Sequence, residues 1–120
     1  MKNILIIEED PDSLNLIKDI LEDDGYNVIG TSRIESAYEI FKRGIALHCV
    51  LINLIFNNTE KYELIDEIKE QLRDIQIPII ALTSSKRTNE GALAINRGCQ
   101  AAIAKPIIEE ELLKSITKTV

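Results

Sequence analysis

An open, doubly wound α/β domain built on a five-stranded parallel sheet is the fold this sequence predicts, and three observations predict it. Four short apolar runs each end on polar side chains: Ile4 to Ile7 on Glu8-Glu9, Cys49 to Ile52 on Asn53, Ile79 to Leu82 on Thr83, and Ala102 to Ala104 on Lys105. Such runs, apolar throughout rather than alternating, suit strands buried on both faces of a parallel sheet. Segments with helical spacing separate them, and strands alternating with helices are the mark of this class. In an open parallel sheet the carboxyl ends of the strands share one edge, where sites form. Two acids, an amide, a hydroxyl and an ammonium would therefore converge there.

The elements follow in order. Ile4 to Ile7 is the first strand, and Asp10-Pro11 opens a helix, with Asp to cap free N–H groups and Pro suited to the first helical position. Leu14, Ile17 and Leu21 form its buried stripe, and Gly25 closes it. Tyr26 to Gly30 is the second strand. Ser32 and Glu35 have the spacing of a capping box for a helix carrying Ile34, Ala37, Tyr38 and Phe41 as far as Gly44. Leu47 to Asn53 is the central strand, and Leu54 to Thr59 a loop turning at Asn57-Asn58. Leu64, Ile65, Ile68 and Leu72 mark the third helix. Ile77 to Thr83 is the fourth strand, with Pro78 near its start.

Past the polar stretch Ser84 to Thr88, a helix over about Asn89 to Arg97 is short and weakened by Gly91. Ala101 to Ala104 is the fifth strand and Lys105-Pro106 a turn. Ile107 to Thr117 is the last helix, with Ile108, Leu112 and Ile116 on its buried face. The 120 residues suit a single domain, 1–120, with one core.

Composition narrows the function. A hydrophobic fraction of 45% and a charged fraction of 28% are those of a folded chain. No apolar stretch reaches the roughly 18 residues of a membrane span, and no signal-peptide layout precedes the first strand, so the expected compartment is the cytoplasm. A net charge of −6 argues against nucleic-acid binding. Cys49 and Cys99 have no metal-ligand spacing and read as reduced thiols. His48, the one histidine, gives neither a metal pair nor a partner for Ser84 or Ser85 in a hydrolase. Glu8 to Ser13 lacks glycine, which excludes the usual phosphate loop of doubly wound nucleotide binders.

The strand-end residues each keep two readings. Glu8 and Glu9 could share a divalent cation with oxygen ligands, or could be two acids in the turn before a helix, favoured by its dipole. Lys105 could be a ligand or a solvated charge. Thr83 could donate to an anion or only end a strand. Spacing alone decides none of these.

As an ordered set, Ile4 to Pro11, Val50 to Asn53, Pro78 to Ser84 and Ala104 to Pro106 resemble the receiver domain of two-component response regulators, over essentially the whole chain. That resemblance implies a flavodoxin-like (βα)5 fold in which an aspartate ending strand three accepts a phosphoryl group from a histidine kinase. An acidic pair holds Mg²⁺, and a hydroxyl and a lysine contact the phosphoryl oxygens. By position, Asn53 stands at the phosphoacceptor, Glu8 and Glu9 at the acidic pair, Thr83 at the switch hydroxyl and Lys105 at the pocket lysine.

Four departures follow from the comparison with that family pattern. The Asn53 amide has no anionic oxygen to attack phosphorus. Glu8 and Glu9 are each a methylene longer than the usual aspartates, and Mg²⁺ demands octahedral ligands at about 2.0–2.1 Å, so the implied cofactor is none or a weakly bound Mg²⁺. Ala102 replaces the aromatic, three residues before the lysine, that changes rotamer on activation. Asn57 and Lys61 replace the Pro and Gly of the loop after strand three. With one carboxylate fewer, Lys105 is expected to hold Glu8 or Glu9 permanently, with Asn53 hydrogen-bonded beside them.

The expected function is thus a non-enzymatic pseudo-receiver in phosphorelay signalling. It would bind a histidine kinase or an effector through helix four, strand five and helix five, with exposed apolar residues there, Ile107 among them. Phosphorylation at another residue, or after deamidation of Asn53 to aspartate, is the alternative. An unrelated small α/β ligand-binding domain is the second alternative.

Overall fold

The computed structural model describes residues 1–73, 76–85 and 87–120; position 86, within the predicted polar stretch Ser84 to Thr88, lies outside the described residues. The order is β1 (Asn3–Ile7), α1 (Pro11–Asp23), β2 (Asn27–Thr31), α2 (Ile34–Lys42), β3 (Cys49–Asn53), β4 (Ile55–Phe56), β5 (Thr59–Glu60), α3 (Glu63–Gln71), β6 (Ile79–Thr83), α4 (Glu90–Asn96), β7 (Ala101–Ala104) and α5 (Glu109–Thr119). A five-stranded parallel sheet runs β2-β1-β3-β6-β7, while β4 and β5 form a separate antiparallel hairpin. The chain steps outward from β1 to β2, then crosses back to β3 on the other side. The switch point, and the crevice that goes with it, therefore lies between the ends of β1 and β3.

Alternation along each strand builds two cores. On one face Leu5, Ile7, Val50, Ile52, Ile79 and Ala81 pack against Ala37 of α2, Leu64, Ile65 and Ile68 of α3, and Ala94 of α4. On the other, Ile4, Ile6, Cys49, Leu51, Ile80 and Leu82 meet Ile17, Ile20 and Leu21 of α1 and Leu112 and Ile116 of α5. Burial on both sides is why the strands read as continuous apolar runs. Cys49 and Cys99 are free, buried thiols, and burial pushes them up to about 12 and about 11 respectively.

The helix starts divide by how they are capped. Asp10 caps α1 as expected, its carboxylate accepting from the Ser13 backbone N–H at 3.1 Å and the Ser13 hydroxyl at 2.8 Å, and Pro11 takes the first helical position. The predicted Ser32–Glu35 capping box does not form. Arg33 is the residue before α2 and gives no side-chain cap, while Thr31 Oγ1 accepts the Arg33 N–H at 3.2 Å. With Arg33 extended as the residue before the helix, Ser32 stands one position too early to cap it.

The expected loop after β3 is partly ordered as the β4–β5 hairpin, turning on Asn57 (φ 51°) and Asn58 (φ 61°). Two consecutive positive φ values are what a tight primed turn requires, and Asn tolerates them. The last helix starts later than predicted. Ile108 sits before α5 in an extended conformation and is 45% exposed, whereas Ile107 is the one that packs into the core. The 3.6 spacing that assigned Ile108 inward does not apply to a residue outside the helix.

Candidate functional site

Four strand ends bring the predicted residues to one edge of the sheet. Glu8 follows β1, Asn53 ends β3, Thr83 ends β6 and Lys105 follows β7. Strand register sets their mutual positions, because Ile7 lies opposite Ile52, Asn53 opposite Leu82, and Thr83 opposite Ala104. The Lys105 backbone N–H donates to the Thr83 carbonyl at 2.9 Å, which continues the β6–β7 ladder one residue beyond the strand. The Lys105-Pro106 peptide is cis.

At the centre is Glu8, which is wholly buried. Its Oε1 is ion-paired with Lys105 Nζ. Its Oε2 accepts from Asn53 Nδ2 at 2.7 Å and from the Asp10 backbone N–H at 3.2 Å. A buried carboxylate persists only when paired and hydrogen-bonded, and here a cation and two neutral donors do both. The contact expected between Lys105 and one of the two acids is made to Glu8. Asn53 serves twice, since its Oδ1 accepts the Ile55 N–H at 3.1 Å and so anchors the start of the hairpin.

Glu9 is directed elsewhere. Its Oε2 accepts the Asn57 N–H at 3.0 Å, so the second acid of the pair is bonded to the hairpin turn. Beside it a groove of about 400 Å³ lies between the β2–α2 turn and the hairpin, lined by Glu9, Arg33, Phe56 and Lys61 among others. Thr83 is buried. Hydrogen bonds from the Ser13 side chain, and then from its backbone, hold the exposed Asp10 carboxyl below its usual range.

Two residues weighed from the sequence, His48 and Ala102, stand apart. His48 is exposed at the opposite end of the strands, where its Nδ1 accepts the Asn3 N–H at 3.0 Å. Ala102 faces the α2–α3–α4 layer and lies under α4, where a Cβ placed on Gly91 would be 3.3 Å from the Ala102 Cβ. The helix thus rests directly on the strand at the position the resemblance assigned to a mobile aromatic.

Sequence reasoning missed Glu90. This first residue of α4 is 5% exposed and gathers three donors: the Ser84 N–H at 3.1 Å, the Ser84 hydroxyl, and the Thr88 hydroxyl at 2.7 Å. Burial acts to raise its pKa, yet the Ser84 and Thr88 hydrogen bonds outweigh it and hold the carboxyl below the usual glutamate range. The signal was present in the spacing. Glu90 lies one turn before the buried Ala94, on the face of α4 that meets the sheet.

Comparison with known proteins agrees with the fold. The family model described as response regulator receiver domain matches residues 4–117. The transcriptional regulatory protein CssR of Bacillus subtilis is 28% identical over 119 residues, covering 98% of this chain and 51% of that protein. An uncharacterized 14.6 kDa protein of Leptolyngbya boryana is 25% identical, covering 95% of this chain and 86% of its own. The chain thus spans about half the length of several curated relatives, the response regulator SaeR of Staphylococcus aureus included.

Among solved structures, the receiver domain of the sensor histidine kinase PA1611 from Pseudomonas aeruginosa superposes with a TM-score of 0.83 at 24% identity, covering 98% of this chain and 96% of that one. It holds a magnesium ion in its active-site cleft. A two-component response regulator from Clostridium difficile gives 0.82 at 22% identity, covering 99% and 95%. The family match over nearly the whole length, on a sheet of this order, carries the assignment: this chain belongs to the response regulator receiver domain family of two-component signalling.

Proposed function

We propose that this receiver domain acts as a non-enzymatic protein-docking module in phosphorelay signalling and is not phosphorylated at Asn53, the position of the family's acceptor. The observation that carries the reading is the closed hydrogen-bond set around Glu8. A receiver that transfers phosphate needs an anionic oxygen at the acceptor, and the Asn53 amide has none. That amide instead donates to Glu8 and accepts from Ile55.

The acidic pair does not fit a magnesium ion as it stands. One Glu8 oxygen is held by the Lys105 ammonium and the other by two N–H groups, and an oxygen of Glu9 is turned toward Asn57. Among the described residues no group of three or more metal-ligating side chains comes together. Lys105 supplies the positive charge that a cation would bring.

The partner would be a histidine kinase or an effector, engaged by the face of α4, β7 and α5. Ile95 and Ile108, both exposed, support that choice. Among the described residues no helix is long and apolar enough to cross a membrane. The test is intact mass after incubation with Mg²⁺ and acetyl phosphate. The expected result is no added mass on the wild-type chain, with one phosphoryl group on Asn53→Asp as the control. A phosphoryl adduct on the wild-type protein overturns the reading.

A further inference from the structure

The buried acid at the start of α4 has no part in the pocket just described, and its surroundings give it another. Glu90 lies at the end of the connection from β6, and both donor residues come from that connection: Ser84 directly follows Thr83, and Thr88 lies two residues before Glu90. One carboxylate thus draws the segment after Thr83 back onto the helix start. Thr88 closes the arrangement further. Its hydroxyl, whose one proton goes to the Glu90 carboxylate, lies 3.1 Å from the Ser85 carbonyl and accepts the Glu90 N–H at 3.4 Å.

One residue along, Gly91 brings the helix backbone down onto Ala102 of β7. At the far end Arg97, the C-cap of α4, pairs with Asp66 of α3 at 2.8 Å. A helix of seven residues is too short to be stable alone, so tertiary contacts must supply its order.

From this we infer that Glu90 is a positioning residue: with Ser84 and Thr88 it forms a clamp that holds the β6–α4 connection and α4 in one arrangement against β7. Three hydrogen bonds converge on a buried carboxylate at the helix start, and the glycine–alanine contact leaves no layer of side chain between helix and strand. Any other placement of α4 would have to break all of them together. The clamp stands apart from the reading of Asn53. Its consequence, that a partner meets the α4 face in a single preset form, rests on that reading.

The test is amide hydrogen exchange on the whole chain. In the wild-type protein the amides of Ser84 and of 90–97 are expected to be protected well beyond a frayed short helix. Glu90→Ala should speed their exchange at least about tenfold, as loss of a buried multiple acceptor requires, while β1 and β3 keep their protection. Ser84→Ala with Thr88→Ala, which leaves the acid but removes its hydroxyl donors, should loosen the same segment, and covers the case in which Glu90→Ala does not fold. A clamp also requires the three residues to act as one, so the triple variant should exchange no faster than Glu90→Ala alone. Additive effects would reduce Glu90 to an ordinary helix-end acid and overturn the inference. So would unchanged exchange at Ser84 and 90–97 in Glu90→Ala. Neither outcome depends on whether Asn53 is phosphorylated, so a failure here is distinct from a failure of the docking-module reading.

Discussion

Lys105 and Glu8 show how one side chain decides what its neighbour costs. Glu8 is wholly buried, and among the described residues the Lys105 ammonium is the cation paired with it. Lys105→Met would leave the carboxylate with neutral donors alone, and removing one partner of a buried pair costs about 3 kcal/mol. Urea unfolding should register that loss, and Glu8→Gln combined with Lys105→Met should recover most of it. A single-variant loss below about 1 kcal/mol would show the pair to be no more than a surface contact.

Asn53→Asp sets a second carboxylate against Glu8, where two like charges compete for one lysine. That variant is expected to be less stable than wild type without metal. It should also gain melting temperature on Mg²⁺ addition where the wild type does not. The two thiols give a simpler check. With burial pushing Cys49 up to about 12 and Cys99 to about 11, neither should react with iodoacetamide at pH 8 until urea unfolds the chain.

Among the elements, those legible in the sequence were the ones whose reason is local or strictly periodic. Asp10-Pro11 declared α1, and four of the five strands of the main sheet, all but β2, declared themselves by apolar runs that end on polar side chains. The Ser32–Glu35 box was not legible as false, because nothing in the spacing says that the helix starts after Arg33, one residue past Ser32. Ile108 was assigned inward by a period that holds only within a helix, and α5 begins one residue later.

The β4–β5 hairpin shows a turn recognised without its strands. Asn57-Asn58 signalled a reversal, but two-residue strands are too short to carry a pattern. Since both turn residues have positive φ, Asn58→Gly should stabilise the chain by up to about 1 kcal/mol in thermal or urea unfolding. Gly98 is the opposite case. At φ +111° a Cβ is strained, and it would also fall on the Lys69 ammonium, so Gly98→Ala should cost about 1–2 kcal/mol.

At the scale of the whole molecule, topology brings the strand ends together, and it does so whatever those residues then do. That is why Glu8, Asn53, Thr83 and Lys105 could be read as one set from sequence, while Glu90, at the start of a short helix whose buried face was not assigned, was missed. Glu90 also sets a pH dependence. Its folded carboxyl lies below the ordinary range, so the unfolded chain binds its proton more readily. Its stabilisation is present above the ordinary range and is lost as pH falls from that range through the lower folded value. Acid unfolding of Glu90→Ala should show a smaller loss over that interval than wild type.

The contact between Gly91 and Ala102 also bears on what could be restored. A tyrosine put back at position 102 would leave the strand on the side where α4 already lies against it. The space a ring needs in order to swing between two positions is filled by helix backbone, so Ala102→Tyr alone would wedge the helix away or leave the ring in a single position. With alanine at 102 and helix backbone closed onto it, a ring at this position needs α4 to move as well. A single substitution does not restore the swinging ring.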